Sequence, residues 1–277
     1  MKAPQRWAIR ITAAALLCVL AWWVSRPPGN THQTINTEAF ATQVRVTFNG
    51  GPEKAMLREE VDKELERIDA LASTWRDDSE LMRFNRADDP AEFELSDELS
   101  GLIAQAQQIE EQTGGAFSLR PDGGDIDLSA IAKGYAVDRV VALLQDEFGI
   151  TDCLVDIGGE VRAIGDGPKG GGWRVGLYQP AKAAGTEAPF VQLREASVAT
   201  SGAYFKGDHI LDPATGEPVA NDLASASVVH PSNATADALA TALYVMGAQR
   251  GMAWAEENGV HAIFLLKDGT RLEHQPQ

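Results

Sequence analysis

The apolar and polar positions of this chain fall into segments of two different periods. Thr42 to Phe48 alternates, with Val44, Val46 and Phe48 on one face, and predicts a strand. Leu57, Val61, Leu65, Ile68 and Leu71 follow at helical spacing, so this strand leads into a helix. Ser96 stands where a hydroxyl caps a second helix, which carries Leu99, Leu102, Ile103, Ala106 and Ile109 and stops at Gly114 and Gly115. A third helix is expected from about Ile131 to Phe148 and a fourth from about Ala236 to Val245. Between them Cys153 to Ile157, Trp173 to Tyr178, Ala224 to Val229 and His261 to Leu266 read as strands. Helices and strands mix without regular βαβ alternation, which puts the chain in the α+β class.

The N-terminus departs from this pattern. Lys2, Arg6 and Arg10 precede an apolar run, Ile11 to Val24, that ends near Trp22 and Trp23, the arrangement of a signal sequence or membrane anchor over residues 1–25. Its 14 residues cover about 21 Å as a helix, less than the roughly 30 Å hydrocarbon core, so length does not separate the two. The tryptophan pair and the lack of a small-x-small cleavage site after Trp23 favour an uncleaved anchor and an exported, periplasmic domain. Polar, proline-containing residues 26–37 read as a spacer, with the catalytic domain over 38–277.

Composition narrows the partners. With 277 residues, 44% of them hydrophobic, the chain can bury a sizeable core. The first 30 residues hold four basic and no acidic groups, leaving 20 Lys and Arg against 40 Asp and Glu, a formal charge of −20. Such a body repels phosphates at long range, which argues against nucleic acid and leaves any phosphate-bearing ligand to local amides, a metal or a few placed cations. Cys18 lies in the apolar run, and the remaining cysteine, Cys153, reads as a small buried residue rather than a nucleophile.

Two segments carry candidate chemistry. Asp125 to Asp138 sets an acid, small residues and Lys133 at a loop entering a helix, where open amides favour phosphate; Lys133 reads equally as a solvated side chain on a structural loop. Asp237 and Thr241 lie at i and i+4, so one helix face presents a carboxylate and a hydroxyl to a hard cation such as Mg2+, although an acid in a first turn is also favoured by the helix dipole alone. Trp75, followed by the polar turn Asp78 to Asn85, suits stacking on a flat ring or covering the core. His209, at a strand end, fits a base or a turn-bonding side chain. No Gly-x-Ser-x-Gly or Walker motif is present, and the glycine-rich stretch Gly165 to Gly172 reads as a flexible turn before a strand.

Taken in order, Ser73 to Asn85, Thr113 to Phe117, Asp127 to Asp138, Val155 to Glu160, Ala199 to Gly202, His209 to Gly216 and Thr235 to Thr241 resemble the FAD:protein FMN transferases, the ApbE family, over about residues 40–266. The resemblance implies a two-lobed α+β domain with FAD between the lobes and Mg2+ at the pyrophosphate. It assigns the metal to Asp237 and Thr241, with the backbone oxygen of Ala130 and the Ala240 region adjoining. It assigns FAD contacts to Phe40, Trp75, Ala116, Phe117, Ser118, Asp127, Lys133 and Ile210, and catalysis to His209 as general base. It further implies an acceptor flavoprotein, a subunit of an electron-transfer chain that receives FMN on a threonine hydroxyl as AMP departs. An FAD-binding protein or an FAD pyrophosphatase that gives free FMN and AMP would use the same pocket. Departures from the family pattern are Phe40 in place of a methionine, Ser118 in place of an aspartate, and a short connection from Gly202 to His209.

Overall fold

A computed structural model describes residues 32–90, 92–177, 189–202 and 210–276. The apolar run and His209 lie outside these. The chain opens with β1 (Gln33–Ala39) and β2 (Thr42–Phe48), followed by α1 (Lys54–Ala72), α2 (Glu80–Asn85), α3 (Asp97–Gln112) and α4 (Ser129–Asp146). Next come β3 (Cys153–Ile157), β4 (Glu160–Ile164), β5 (Trp173–Gly176), β6 (Phe190–Leu193), β7 (Ala196–Ser201), β8 (Leu211–Asp212), β9 (Glu217–Pro218) and β10 (Leu223–His230). Helix α5 (Asn233–Glu257) and strands β11 (His261–Leu266) and β12 (Arg271–His274) complete the α+β fold.

One eight-stranded sheet, in the order β1-β2-β3-β4-β7-β10-β11-β12, organises the molecule. Its ladders are antiparallel throughout, so short hairpins suffice at β1–β2, β3–β4 and β11–β12. Val44, Val46 and Phe48 point from β2 onto Leu57, Val61, Leu65 and Ile68 of α1 and onto the Val137–Val140–Leu144 stripe of α4. A second core joins α3 and α5 to β10 and β11 around Leu99, Leu243, Val228 and Phe264. Tyr135 of α4 packs against both. On the opposite sheet face, Val161, Val198 and Ile263 meet Trp173 and Leu193 of the β5–β6 ribbon.

Several boundaries differ from the sequence reading. Residues 33–37, read as spacer, belong to β1 and pair in register with β2, from Gln33↔Phe48 to Ala39↔Thr42 for the whole strand. The polar turn from Asp78 to Asn85 contains a short helix, α2, whose cap Ser79 accepts from the Met82 amide at 3.0 Å. Helix α5 runs well beyond Val245. It is interrupted at Gly247 (φ 77°, ψ 175°), a left-handed conformation that suits glycine, and the Asn221 side-chain amide donates to the Tyr244 carbonyl just before the break at 2.6 Å.

Candidate functional site

A cleft of about 1290 Å3 opens beside the sheet, larger than the roughly 300–1,000 Å3 typical of sites for drug-sized ligands. Two tight hairpin turns form part of its wall. Ile157 pairs with Glu160 across a two-residue turn, Gly158-Gly159, with φ of 62° and 104°, so the chain reverses at once and delivers Glu160 to the cleft as the first residue of β4. The β1–β2 hairpin turns at Phe40-Ala41, where two non-glycine residues hold positive φ, 51° and 55°. Such strain persists only where surrounding structure enforces it, and both residues line the cleft.

The loop between α3 and α4 forms another wall. Thr113 donates from Oγ1 to the Ile109 carbonyl at 2.8 Å and accepts from the Phe117 amide at 3.2 Å, tying Ala116 and Phe117 to the end of α3. The Asn85 side chain clamps the Ile126 backbone from both sides, donating to its carbonyl at 2.8 Å and accepting from its amide at 3.1 Å. Asp127 then accepts from the Ser129 amide at 2.8 Å and starts α4.

The floor is where α4 crosses the first turn of α5. Asp138 accepts from the Ser232 hydroxyl at 2.8 Å and from the Asn233 and Ala234 amides at 2.9 and 3.0 Å, anchoring the open end of α5. Gly134 permits the crossing, since a Cβ there would stand 2.4 Å from the Asn233 carbonyl oxygen. At this close approach the Gly134 amide donates to Asp237 Oδ2 at 3.0 Å. One turn further along α5, Thr241 Oγ1 lies 3.0 Å from the Ser201 hydroxyl at the end of β7. Lys133 bonds Glu160 Oε1 from the neighbouring position of α4.

The electrostatics of this floor are unusual for so acidic a protein. Asp237 and Glu160 are 3% and 2% exposed. Burial pushes the Glu160 carboxyl up to about 7, opposed by the Lys133 ammonium and reinforced by the Asp237 charge. Burial likewise raises Asp237, against the pull of Lys133 and the Gly134 amide. Glu160 Oε2 is buried and has no hydrogen-bond partner among the described residues. Two desolvated carboxylates sharing one ammonium form a floor that gains from added positive charge. Among the described residues no group of three or more His, Cys, Asp or Glu side chains is arranged for a metal. The donors here are one carboxylate and two hydroxyls, which fit a hard ion that takes its remaining oxygens from water and ligand, as Mg2+ does.

The structure gathers most of the residues singled out from the sequence. Phe40, Ala116, Phe117, Ser118, Asp127, Ala130, Lys133, Ile210, Asp237 and Thr241 all line the one cleft. Two do not. Trp75 is 92% exposed and neither lines the cleft nor covers the core; its neighbour Thr74 is the one that faces inward. Ala240 is buried in the core, because a residue one position before Thr241 is turned about 100° away from the face that carries Asp237 and Thr241. Glu160 and Asn85 are the residues that sequence reasoning left without a role. A glutamate directly after Gly-Gly, at the head of an apolar strand, was the available signal for the first. Cys153 is buried and its thiol is pushed up to about 12 by burial.

The fold and floor define an antiparallel α+β protein with a large cleft floored by Asp237, Glu160 and Lys133. The ApbE family model matches residues 40–120 and 118–264. An FAD:protein FMN transferase of Vibrio cholerae is 31% identical over 313 aligned residues, covering 93% of each chain. That of Escherichia coli K12 is 26% identical, with 94% of each chain covered. Among solved structures, the flavin transferase ApbE from Vibrio cholerae superposes with a TM-score of 0.80 at 28% identity, covering 90% of this chain and 98% of that one. The apo form of the Pseudomonas stutzeri flavinyl transferase ApbE gives 0.78 at 28% identity, covering 90% and 95%. The chain belongs to the ApbE family.

Proposed function

We propose that this protein is an FAD:protein FMN transferase that moves the FMN half of FAD onto a threonine hydroxyl of an acceptor flavoprotein, in a reaction that requires Mg2+. The observation that carries the reading is the cleft floor, where Asp237, Thr241 and Lys133 meet within a fold shared with named flavin transferases. Phe40, Ala116, Phe117, Ser118, Asp127 and Ile210, which line the cleft, would contact FAD. Lys133 would meet the diphosphate. Asp237, Thr241 and the Ala130 carbonyl would hold Mg2+, which when bound neutralises charge on the diphosphate as it is cleaved.

In the reaction the acceptor hydroxyl oxygen forms a bond to the FMN phosphorus, the bond to the bridging oxygen breaks, and AMP leaves with the electron pair. His209 takes the hydroxyl proton, a task for which an imidazole titrating near 6.5 is suited at neutral pH. The assignment is supported by Ile210, the next residue in sequence, which lines the cleft. The acceptor is a subunit of an electron-transfer chain, and the N-terminal segment tethers the enzyme to the membrane facing the periplasm.

The purified protein is incubated with FAD, Mg2+ and a threonine-containing acceptor, then denatured. Flavin fluorescence that stays with the acceptor, with one AMP released per flavin, supports the transferase. Free FMN and AMP with no labelled acceptor replaces it with an FAD pyrophosphatase. Retention of the protein in washed membranes after cell fractionation tests the tether.

A further inference from the structure

We propose that Glu160 is a positioning residue, whose buried carboxylate fixes the Lys133 ammonium on the cleft floor in the place where it meets the FAD diphosphate. The inference rests on the functional reading above and adds a residue to it. The fold spends specific features on delivering this side chain. The Gly158-Gly159 turn leaves β4 no slack, and it sits so close to β2 that a Cβ on Gly158 would lie 2.7 Å from Thr42 Oγ1. The Glu160 backbone is held by its pairing with Ile157 of β3 across this turn.

The pair is a poor device for stability alone. Val161, Ala163 and Ile164 follow Glu160 in the same strand and are buried, and an apolar side chain in place of a buried ion pair is commonly neutral or stabilising. The arrangement is also lopsided. The Lys133 side chain is 29% exposed while that of Glu160 is 3% exposed, so the anion lies behind and the cation in front, facing the cleft. A lysine on a flexible four-carbon stem samples many positions unless one is imposed. Glu160 imposes it through Oε1, whereas its occluded Oε2 is out of a ligand's reach. Glu160 thus acts through Lys133 and not by touching FAD.

The test is FAD affinity, measured by fluorescence titration on wild type, Glu160→Gln, Lys133→Met and the double variant, with a thermal melt on each. Loss of an orienting charge-assisted bond predicts about tenfold weaker FAD binding by Glu160→Gln, with at least as large a loss for Lys133→Met and no further loss when the two are combined. Glu160→Asp, which keeps the charge but withdraws it by one methylene, is expected to fall between Glu160→Gln and wild type, and it carries the test if the Gln variant does not fold. Wild-type affinity in both Glu160 variants, or a further loss when Glu160→Gln is added to Lys133→Met, overturns the assignment while leaving the transferase intact. A wild type that binds no FAD overturns the functional reading and this inference together.

Discussion

Adding a single methyl group at Gly134 tests how the floor is built. The new Cβ would stand 2.4 Å from the Asn233 carbonyl oxygen, 2.7 Å from its carbon and 2.8 Å from the Ala234 Cα, all backbone atoms that no rotamer change can move. Bringing the 2.7 Å contact to the ~3.5 Å edge of ordinary carbon–carbon distance takes a shift of about 0.8 Å in the first turn of α5. Overpacking of this kind costs about 1–3 kcal/mol. The same shift stretches the Gly134–Asp237 bond, a charged hydrogen bond worth about 1.5–3 kcal/mol. Against this, alanine returns about 0.8–1 kcal/mol of helix propensity. The net expectation for Gly134→Ala is a loss of about 2–4 kcal/mol together with FMN transfer, because Asp237 moves with its helix. Gly101 is the control: it lies mid-helix in α3 and a Cβ there meets nothing within 4 Å. Gly101→Ala should gain up to about 1 kcal/mol by propensity alone. Urea denaturation of both variants, with a transfer assay, separates the effects. A Gly134→Ala protein as stable and active as wild type would refute the account of the helix crossing.

Replacing Asp237 with Asn removes the one carboxylate proposed to hold Mg2+, and transfer should fall at least a hundredfold, about 2.7 kcal/mol, with the fold retained by circular dichroism; unimpaired Mg2+-dependent turnover would rule out the metal role. The free protein should lose stability as pH rises from 4.5 to about 7, because Glu160 keeps its proton when folded and releases it when unfolded. Asp237, raised in the same direction by burial, adds to that slope. Urea midpoints across this window should therefore decline, and an equal decline in Glu160→Gln would dissociate the effect from that group. Cys153, buried and with its thiol pushed up to about 12, should resist thiol reagents in native buffer and react promptly in urea; fast native labelling contradicts its burial.

The parts of the fold that were legible in the sequence are those with a single periodicity. Strands β2, β3 and β11 alternate or run continuously apolar and coincide with their predicted ends, and α3 starts at the Ser96 cap, which accepts from the Leu99 amide. Strand β1 escaped because only Ile35 among its residues is buried; its conformation comes from the register with β2 and not from its own pattern. Strand β7, which runs through small residues with Val198 and Ala199 buried on opposite faces, shows no alternation to find. The full length of α5 was hidden for a similar reason, since alanines occur all round it and several faces are buried. At the site, i and i+4 spacing sufficed to pair Asp237 with Thr241. Glu160 joins them through its ion pair with Lys133, from a strand far from Asp237 and Thr241 in sequence, a contact that no local spacing records.

The break at Gly247 divides α5 into two rods that do not share a continuous hydrogen-bond ladder. Loosening of the distal rod, residues 248–257, therefore has no direct route along the helix to the proximal turn that carries Asp237. Amide hydrogen exchange should report this as two separate protection levels within one helix, slow before the break and faster after it. Sequence drift at the exposed positions of the distal half, Gln249, Arg250, Ala253, Glu256 and Glu257, should then cost turnover little, whereas the buried Ala248, Gly251 and Ala255 stay constrained by the core.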